Sequence, residues 1–465
     1  MQRRFFLQMA APLAGLTLGW RGAPLRLVLR GGRCFRDGFW RVEDIGVDQG
    51  GRLRFGPGLQ APLSLDVSGK VVAPGFIDIL ADHGAGGPTG FGPFEKYKVA
   101  DGVTTALQMH GGSSEAAWFY RESARLPHPV NYGVSTFVMR IRGTLPDLRA
   151  RLRAVERNLA QGALGVSHSL EYQPTPYREV LQYARLARKY DRPLVLHLRY
   201  SSAERELDGV TEAVRLAEES GAPVHIGHLH STGGTYRMEA ALELIRGAIE
   251  RGVSLTACIY PYSFWATYLS SRRFDEGWRE RYRLDYQDLV LVGTGERLTA
   301  ESFSRYRKSG ALVAVPEGTM PLDRTVDLAL PESFCMIGSD GGIQREVRPN
   351  SHPRGAGCFA TALSHGLRLG IPLERLIEKM TLLPRALVRP ALDDRGILVE
   401  GAMADLTVFD PAAVRGNATV ENPGRVSSGI ELVLVGGEIA YRPGSWEGRN
   451  GRPIRARVTA AQSAV

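Results

Sequence analysis

The sequence predicts an α/β protein: a (β/α)8 TIM barrel with a small β-sandwich formed by the N- and C-terminal segments. The first observation is that short apolar stretches alternate with helical stretches along the middle of the chain, which is typical of parallel β/α units. The second is that both ends carry strands of alternating apolar and polar residues. The third is length, because 465 residues are long for one plain domain.

Residues 1–24 are predicted to form an export signal. Arg3 and Arg4 are followed by Phe5–Leu7 and an apolar run to about Trp20. This pattern resembles a twin-arginine signal, which carries a folded protein across a membrane. The run is short for a membrane span. We therefore expect an exported, periplasmic protein with no stable membrane span after signal removal; if the signal is not used, the protein is cytoplasmic.

The β-sandwich is predicted to combine residues 25–72 with residues 392–465. Leu25–Arg30 alternates apolar and charged side chains, as a half-buried strand does. Ala404–Asp410 and Ile430–Val435 have the same character near the other end of the chain. We expect the two segments to pair in space.

The barrel is predicted across residues 73–391. Its clearest strands are Ser135–Met139, Pro193–His197, Pro223–His228, Val253–Cys258 and Phe334–Ser339. In a (β/α) barrel the C-terminal ends of the strands build the active site. Functional side chains are therefore expected where these strands end.

Composition and cysteine spacing exclude some classes of protein. The formal charge is +9, but the arginines are scattered and form no basic run, so nucleic acid is not an expected partner. Cys34, Cys258, Cys335 and Cys358 lie far apart with no C-x-x-C spacing, which argues against a structural zinc site. A disulfide cannot be paired from sequence.

Two histidines, His197 and His228, fall at the predicted ends of successive barrel strands. Imidazoles from adjacent strand ends can share a first-row metal ion. In the second strand, alternation puts His228 and His230 on one face and His225 on the other. A single strand-end His is more often a hydrogen-bonded structural residue, but two on successive strands favour metal ligands.

Asp340 ends the last apolar strand, directly before two glycines. A carboxylate there can ligate a metal, or take a proton from metal-activated water and return it to the leaving amine. Asp-Gly-Gly is also typical of a turn. In the final strand of a barrel that holds two His ligands, we expect Asp340 to be catalytic.

A series of short motifs runs through the chain in a specific order. They are Val72–Asp78, Asp101–Thr105, Gly162–Ser167, His197-x-Arg199, Gly227–Leu229, Tyr260–Tyr262, Gly338–Gly341, His352–Arg354, Lys379–Thr381, Gly401–Leu406 and Asn422–Pro423. In that order they resemble the D-aminoacylase (N-acyl-D-amino-acid deacylase) branch of the amidohydrolase superfamily. The similarity covers nearly the whole chain after the signal, and the ordered series is far more specific than any one motif.

The resemblance implies a metal-dependent barrel that hydrolyses amide bonds of acylated D-amino acids or related dipeptides. By position, His197 and His228 match metal-binding histidines, and Asp340 matches the general base. The implied partner is a small-molecule substrate with a carboxylate.

The resemblance also implies substrate-binding residues. Arg354 matches an arginine that holds the substrate carboxylate, which suits a guanidinium because its planar fork makes two charge-assisted bonds. Tyr260 and Tyr262 match substrate-pocket positions, although either could belong to the core. Arg199 and His230 complete the expected set, with His230 in the place of a lysine.

The chain departs from the family at the metal site. The paired histidines of the family's first barrel strand correspond here to Leu80 and Asp82. Its cysteine ligand corresponds to Gly111, but His110 stands next to it and imidazole binds the same metals. A shift of one residue in the strand would turn His110 away. The expected centre is one zinc ion per chain held by His110, His197, His228 and Asp340.

Two functions remain open. The first is a metal-dependent amidohydrolase that cleaves an amide bond of an N-acyl (D-)amino acid or dipeptide-like substrate, with metal-activated water and Asp340 as general base and acid. The alternative is a catalytically degenerate, exported ligand-binding paralogue that keeps the barrel and Arg354 but holds no metal. Retention of His197, His228 and Asp340 favours the enzyme, whereas the loss of four family positions favours the alternative.

Overall fold

The computed structural model describes residues 24–81, 91–315, 319–341 and 352–457. Residues 1–23 of the predicted signal lie outside these ranges, and so does Asp82. Among the described residues, no helix is long and apolar enough to cross a membrane.

The strands of the described chain have the following bounds. They are β1 (Leu25–Arg36), β2 (Phe39–Asp48), β3 (Leu53–Phe55), β4 (Leu63–Asp66), β5 (Val71–Pro74), β6 (Phe76–Asp78), β7 (Val103–Ser113), β8 (Asn131–Phe137), β9 (Val166–Ser169), β10 (Leu194–His197), β11 (Val224–Ile226), β12 (Leu255–Ile259), β13 (Trp265–Tyr268), β14 (Val290–Leu291), β15 (Leu312–Val315), β16 (Cys335–Ile337), β17 (Leu406–Phe409), β18 (Ile430–Val435), β19 (Glu438–Arg442) and β20 (Ser445–Trp446).

The α-helices run between and after the barrel strands. They are α1 (Phe91–Ala100), α2 (Ala116–Ser123), α3 (Val138–Thr144), α4 (Leu148–Ala160), α5 (Tyr177–Lys189), α6 (Leu207–Ser220), α7 (Met238–Glu250), α8 (Trp278–Tyr282), α9 (Ala300–Ser309), α10 (Val326–Ala329), α11 (Cys358–Arg368), α12 (Leu373–Met380) and α13 (Leu382–Leu387).

Eight parallel strands form the barrel, in the order β6-β7-β8-β9-β10-β11-β12-β16. Short, fully buried apolar runs such as the Leu-Val-Leu-His of β10 favour strands covered on both faces. The helices between them are amphipathic. In α5, for example, Val180, Ala184 and Ala187 recur at helical spacing and are buried. The predicted (β/α)8 barrel is confirmed.

A buried ion pair closes the barrel between its first and last strands. The Asp78 carboxylate, at the end of β6, accepts hydrogen bonds from the Ser339 backbone N–H (3.0 Å) and from Ser339 Oγ (2.6 Å), just past β16. Lys98 Nζ lies 2.7 Å from the same carboxylate, and both side chains are fully buried. The acidic residue that ends the Pro-Gly-Phe-Ile-Asp motif therefore joins the two edges of the sheet.

Three barrel strands end earlier than the sequence predicts. β8 stops at Phe137, β11 at Ile226 and β16 at Ile337. His228 has φ of 33° in the left-handed region, and the chain continues into a 3-10 helix at Leu229–Ser231. A left-handed residue cannot continue a strand. Strand alternation therefore does not orient His228 and His230, and that part of the prediction is wrong.

The terminal segments meet in one nine-stranded sheet of order β20-β19-β18-β17-β5-β1-β2-β3, with β4 beside β1. β5 pairs parallel with β1 and antiparallel with β17, which joins the N-terminal segment to the C-terminal one. The sheet has its own apolar core, drawn from both segments. Past β20, the chain returns to the barrel, where Ile454 N–H donates to the Tyr132 carbonyl at 2.7 Å.

An insertion between β12 and β16 carries a small antiparallel sheet of order β13-β15-β14. Trp265, Phe274, Trp278 and Phe303 pack against one another beside it, with ring centroids 5.4–6.1 Å apart. Because the insertion follows the C-terminal end of a barrel strand, it lies at the barrel face where active sites are built.

All four cysteines are buried free thiols. Burial raises the pKa of Cys335 to about 12, so that thiol stays protonated at neutral pH. Cys258 Sγ accepts a hydrogen bond from the His228 backbone N–H at 3.2 Å. The cysteines therefore serve packing and backbone position, not disulfide pairing.

Candidate metal centre

Three histidines meet at the C-terminal end of the barrel. One ligand nitrogen from each of His110, His197 and His228 lies within 4.8 Å of the other two. The ring centroids are 5.4 Å apart for His110 and His197, 5.0 Å for His110 and His228, and 4.6 Å for His197 and His228. The three come from β7, the end of β10 and the turn after β11. This spacing is close enough for one metal ion to bind all three imidazoles.

A β-bulge turns His110 toward this cluster. The register between β7 and β8 shifts between Gln108 and Ser113, so extra residues are accommodated around His110. Gly112 has φ of 100°, and a Cβ there would lie 2.4 Å from the Ser135 carbonyl oxygen. Only glycine fits this position. The side-chain direction of His110, which depends on register, is thereby fixed by the bulge.

The Glu171 carboxylate contacts one ring nitrogen of His197, and His110 lies next to the other. Glu171 Oε2 lies 2.6 Å from His197 Nε2, while His197 Nδ1 lies 3.3 Å from His110 Nε2. Burial lowers the pKa of His197 despite the attraction of Glu171, so its imidazole is neutral at neutral pH. A neutral ring that uses one nitrogen for the carboxylate presents the other to a metal.

Two residues fix His228. Its Nδ1 lies 2.9 Å from Ser231 Oγ, which leaves Nε2 as the ring nitrogen available to a metal. Burial lowers the pKa of His228 well below its usual range, which keeps the imidazole neutral. The hydrogen bond from the His228 backbone N–H to Cys258 Sγ stabilises the left-handed turn. Strained backbone of this kind is common at functional sites.

Asp340 also has a left-handed backbone, with φ of 45°. Its Oδ1 lies 3.3 Å from His110 Nδ1, and its Oδ2 lies 2.7 Å from Arg354 Nη2. Burial alone would raise the pKa of this carboxyl, but the charge of Arg354 and the hydrogen bond with His110 hold it well below its usual range. The group of ligand atoms within 4.8 Å does not include Asp340. Arg354 holds the carboxylate beside the three histidines instead.

Glu171 is anchored by the insertion, and the sequence did not point to it. Its Oε1 accepts a hydrogen bond from Arg273 Nε at 2.9 Å and a short one from the Tyr282 hydroxyl. Burial alone would raise its pKa, but Arg273 and His197 hold the pKa at about 2. The one sequence signal is an acidic residue just past β9, at a barrel strand end. Arg273 and Tyr282 carry no such signal, because they lie far away in the insertion.

Arg354 is fully buried at the edge of the site. Its Nε donates to the Ser339 carbonyl at 3.2 Å, and its Nη2 donates to the Asp340 carbonyl at 2.8 Å. The guanidinium lies over the Tyr260 ring at 4.0 Å. Within the described part of the chain, Nη1 is buried without a hydrogen-bond partner. A buried cationic donor in this state is suited to an anionic group of a ligand.

The remaining predicted pocket residues divide into two groups. His230 packs edge-on against Tyr260 at 4.1 Å, and neither of its ring nitrogens has a hydrogen-bond partner among the residues described. Burial lowers the pKa of His230 to about 3, so it is neutral. Tyr262 packs 6.4 Å from Tyr260. Arg199, by contrast, directs its guanidinium to Glu212 at 2.8 Å, away from the cluster.

Leu80 belongs to an apolar core. It is fully buried and packs in a cluster with Met109, Cys258 and Met336 inside the barrel. Hydrocarbon therefore fills the place where the sequence resemblance implies an imidazole in the family. The described structure therefore offers one histidine cluster, without a contribution from the first strand.

A narrow recess lies next to residues that contact the cluster. Ser231, Arg273 and Tyr282, which hold His228 and Glu171, also line it. Four of its lining residues are aromatic: Tyr200, Tyr236, Trp265 and Tyr282.

The chain is similar in sequence and fold to known proteins. The chain is 30% identical to the D-aminoacylase of Alcaligenes xylosoxydans xylosoxydans over 94% of this chain and 99% of that protein. An N-acyl-D-glutamate deacylase from Bordetella bronchiseptica, solved with zinc and a phosphonate mimic of the tetrahedral intermediate, matches with a TM-score of 0.78 and 26% identity over 93% of this chain and 100% of that one.

A D-aminoacylase solved in a study of its binuclear metal centre, described as showing one-metal activation and second-metal attenuation, matches with a TM-score of 0.77 and 25% identity, again over 93% and 100% of the two chains. A scan against protein-family models finds no match. The donors of the cluster, imidazole nitrogens beside a carboxylate, fit a zinc-type ion. The chain therefore belongs to the D-aminoacylase family of metal-dependent amidohydrolases, hydrolases that act on carbon–nitrogen bonds other than peptide bonds.

Proposed function

We propose that the chain is a one-zinc deacylase of N-acyl-D-amino acids or of dipeptide-like substrates. The observation that carries the proposal is the convergence of three imidazoles, within 4.8 Å of one another, beside an ionised Asp340. His110, His197 and His228 would hold the ion. The one-metal activation described for a related D-aminoacylase supports a single ion here.

A zinc ion held by His110, His197 and His228 would supply Lewis acidity, which would polarise an amide carbonyl and lower the pKa of water. Asp340 takes a proton from the attacking water at its oxygen Oδ1, because Oδ2 is hydrogen-bonded to Arg354 at 2.7 Å. The same carboxyl then donates the proton to the departing nitrogen. Arg354 keeps Asp340 ionised before the reaction and fixes its direction.

The substrate carboxylate is proposed to bind at Arg354. Nη1 of Arg354 is buried with no partner in the described structure, and His230 nearby offers a neutral ring N–H. Tyr260 contacts both side chains and sets their separation.

A panel of substrates tests the function. Zinc-reconstituted protein should release amino acid from N-acetyl-D-amino acids and not from their L enantiomers. Asp340→Asn should lower kcat by about 100- to 10,000-fold, since general acid–base catalysis contributes in that range. Binding of N-acyl-D-amino acids with no hydrolysis and no metal would establish the ligand-binding alternative instead.

Export through the twin-arginine pathway is also proposed. Its support is Arg3-Arg4 ahead of the apolar run. Fractionation of cells that express the full chain should find the protein in the periplasm. An Arg3→Lys, Arg4→Lys variant that reaches the same compartment would overturn this proposal.

A further inference from the structure

Glu171, Arg273 and Tyr282 form a clamp on one histidine of the candidate metal centre. The Glu171 carboxylate joins His197 Nε2 at 2.6 Å to Arg273 Nε at 2.9 Å, and the Tyr282 hydroxyl donates to it as well. All four side chains are at least nine-tenths buried. The clamp thus connects the loop after β9, the end of β10 and the insertion.

The contacts of Glu171 determine which nitrogen of His197 carries the proton. The carboxylate faces a permanently charged guanidinium and a hydroxyl donor, so it acts as an acceptor on every side. His197 must then donate through Nε2. In the neutral ring this leaves the lone pair on Nδ1, the nitrogen that lies 3.3 Å from His110.

Arg273 fixes Glu171 in turn. Its guanidinium lies 4.3 Å over the Trp265 ring and 5.1 Å from the Tyr282 ring, so the insertion holds it in one orientation. Without Arg273, the buried carboxylate would lose its compensating charge and would be free to turn away from His197. The position of a barrel histidine therefore depends on residues of the insertion.

We propose that Glu171 is a positioning residue for the metal centre, held by Arg273, and that the insertion sets metal affinity through it. This rests on the proposed function, because it assumes that His197 is a ligand. Loss of such a carboxylate behind a histidine ligand typically weakens metal binding by about 10- to 100-fold.

Zinc competition against a chelator tests the proposal without using activity. Glu171→Gln keeps the size of the side chain but removes its charge, and we expect its zinc dissociation constant to rise about 10- to 100-fold. Arg273→Lys should shift affinity in the same direction by less. Glu212→Gln is the matched control, because Glu212 pairs with Arg199 at 2.8 Å and contacts no histidine of the cluster. Equal affinity in Glu171→Gln and Glu212→Gln would overturn the proposal.

The tautomer of His197 gives a second readout, in metal-free protein. Nitrogen NMR of 15N-histidine-labelled protein should show the proton on Nε2 in the wild type and a changed tautomer population in Glu171→Gln. If the wild type takes up no zinc, the proposed function fails. A His197 tautomer unaffected by Glu171→Gln would overturn the positioning role separately.

Discussion

Replacement of His225 by glutamine should flatten the pH dependence of stability. His225 is fully buried on β11, with Nδ1 2.8 Å from Thr256 Oγ1. Burial lowers its pKa from the usual 6.5 to about 3. Because the folded pKa lies below the unfolded one, the folded state keeps the neutral ring. The stability that this gives is complete above pH 6.5 and is lost as the pH falls from 6.5 toward 3.

The magnitude follows from these two values. At about pH 5.5 the unfolded chain gains about 1.4 kcal/mol by protonating His225, whereas the folded chain gains almost nothing. Urea unfolding of metal-free protein at about pH 8 and pH 5.5 measures the loss in the wild type. In His225→Gln, which can still hydrogen-bond to Thr256, the loss should be smaller by about 1.4 kcal/mol.

A matched variant checks the reasoning. His168 is also fully buried, and burial lowers its pKa to about 3, so His168→Gln should reduce the loss by the same amount. If both variants keep the full wild-type dependence between the two pH values, the buried imidazoles are not the cause and the argument from burial is wrong.

Two further predictions concern Arg354 and Leu80. Arg354→Lys keeps the charge but loses the planar fork, so kcat/KM for N-acyl-D-amino acids should fall about 10- to 100-fold. For amides that lack the carboxylate the fall should be smaller, because there only the hold of Arg354 on Asp340 is weakened; an equal fall for both substrate types would argue against carboxylate binding at Arg354. Leu80→His puts an imidazole into the apolar cluster around Met109, so it should lower the free energy of unfolding by about 2–5 kcal/mol. It should not add a second zinc ion; a stable variant that binds two ions would show that the first strand can still hold a metal.

The barrel could be predicted from sequence, and several of its strand ends to within a few residues, because buried parallel strands read as short apolar runs. For that reason His197 and His228 were found at strand ends, and the structure brings them together with His110. The direction of the His110 side chain depends on a β-bulge in β7 between Gln108 and Ser113. Sequence alternation alone cannot fix a side chain at such a point.

Other parts of the site come from tertiary contacts that leave no local pattern. Arg273 reaches Glu171 from 102 positions along the chain. Asp340 was expected to be both base and metal ligand, but Arg354, 14 residues away, holds one of its oxygens. Arg199 matches a family motif, yet its guanidinium forms an ion pair with Glu212 of α6. Each depends on which charges face one another after folding.

Zinc content measured on purified, reconstituted protein tests the central claim most directly. We predict about one zinc ion per chain in the wild type, since the three imidazoles form one cluster. Leu80 stands where a histidine ligand of a second ion would be expected. Folded His228→Ala protein should retain almost none. A wild type that binds no zinc, or a His228→Ala variant that binds as much as the wild type, would contradict the assignment of this cluster as the metal centre.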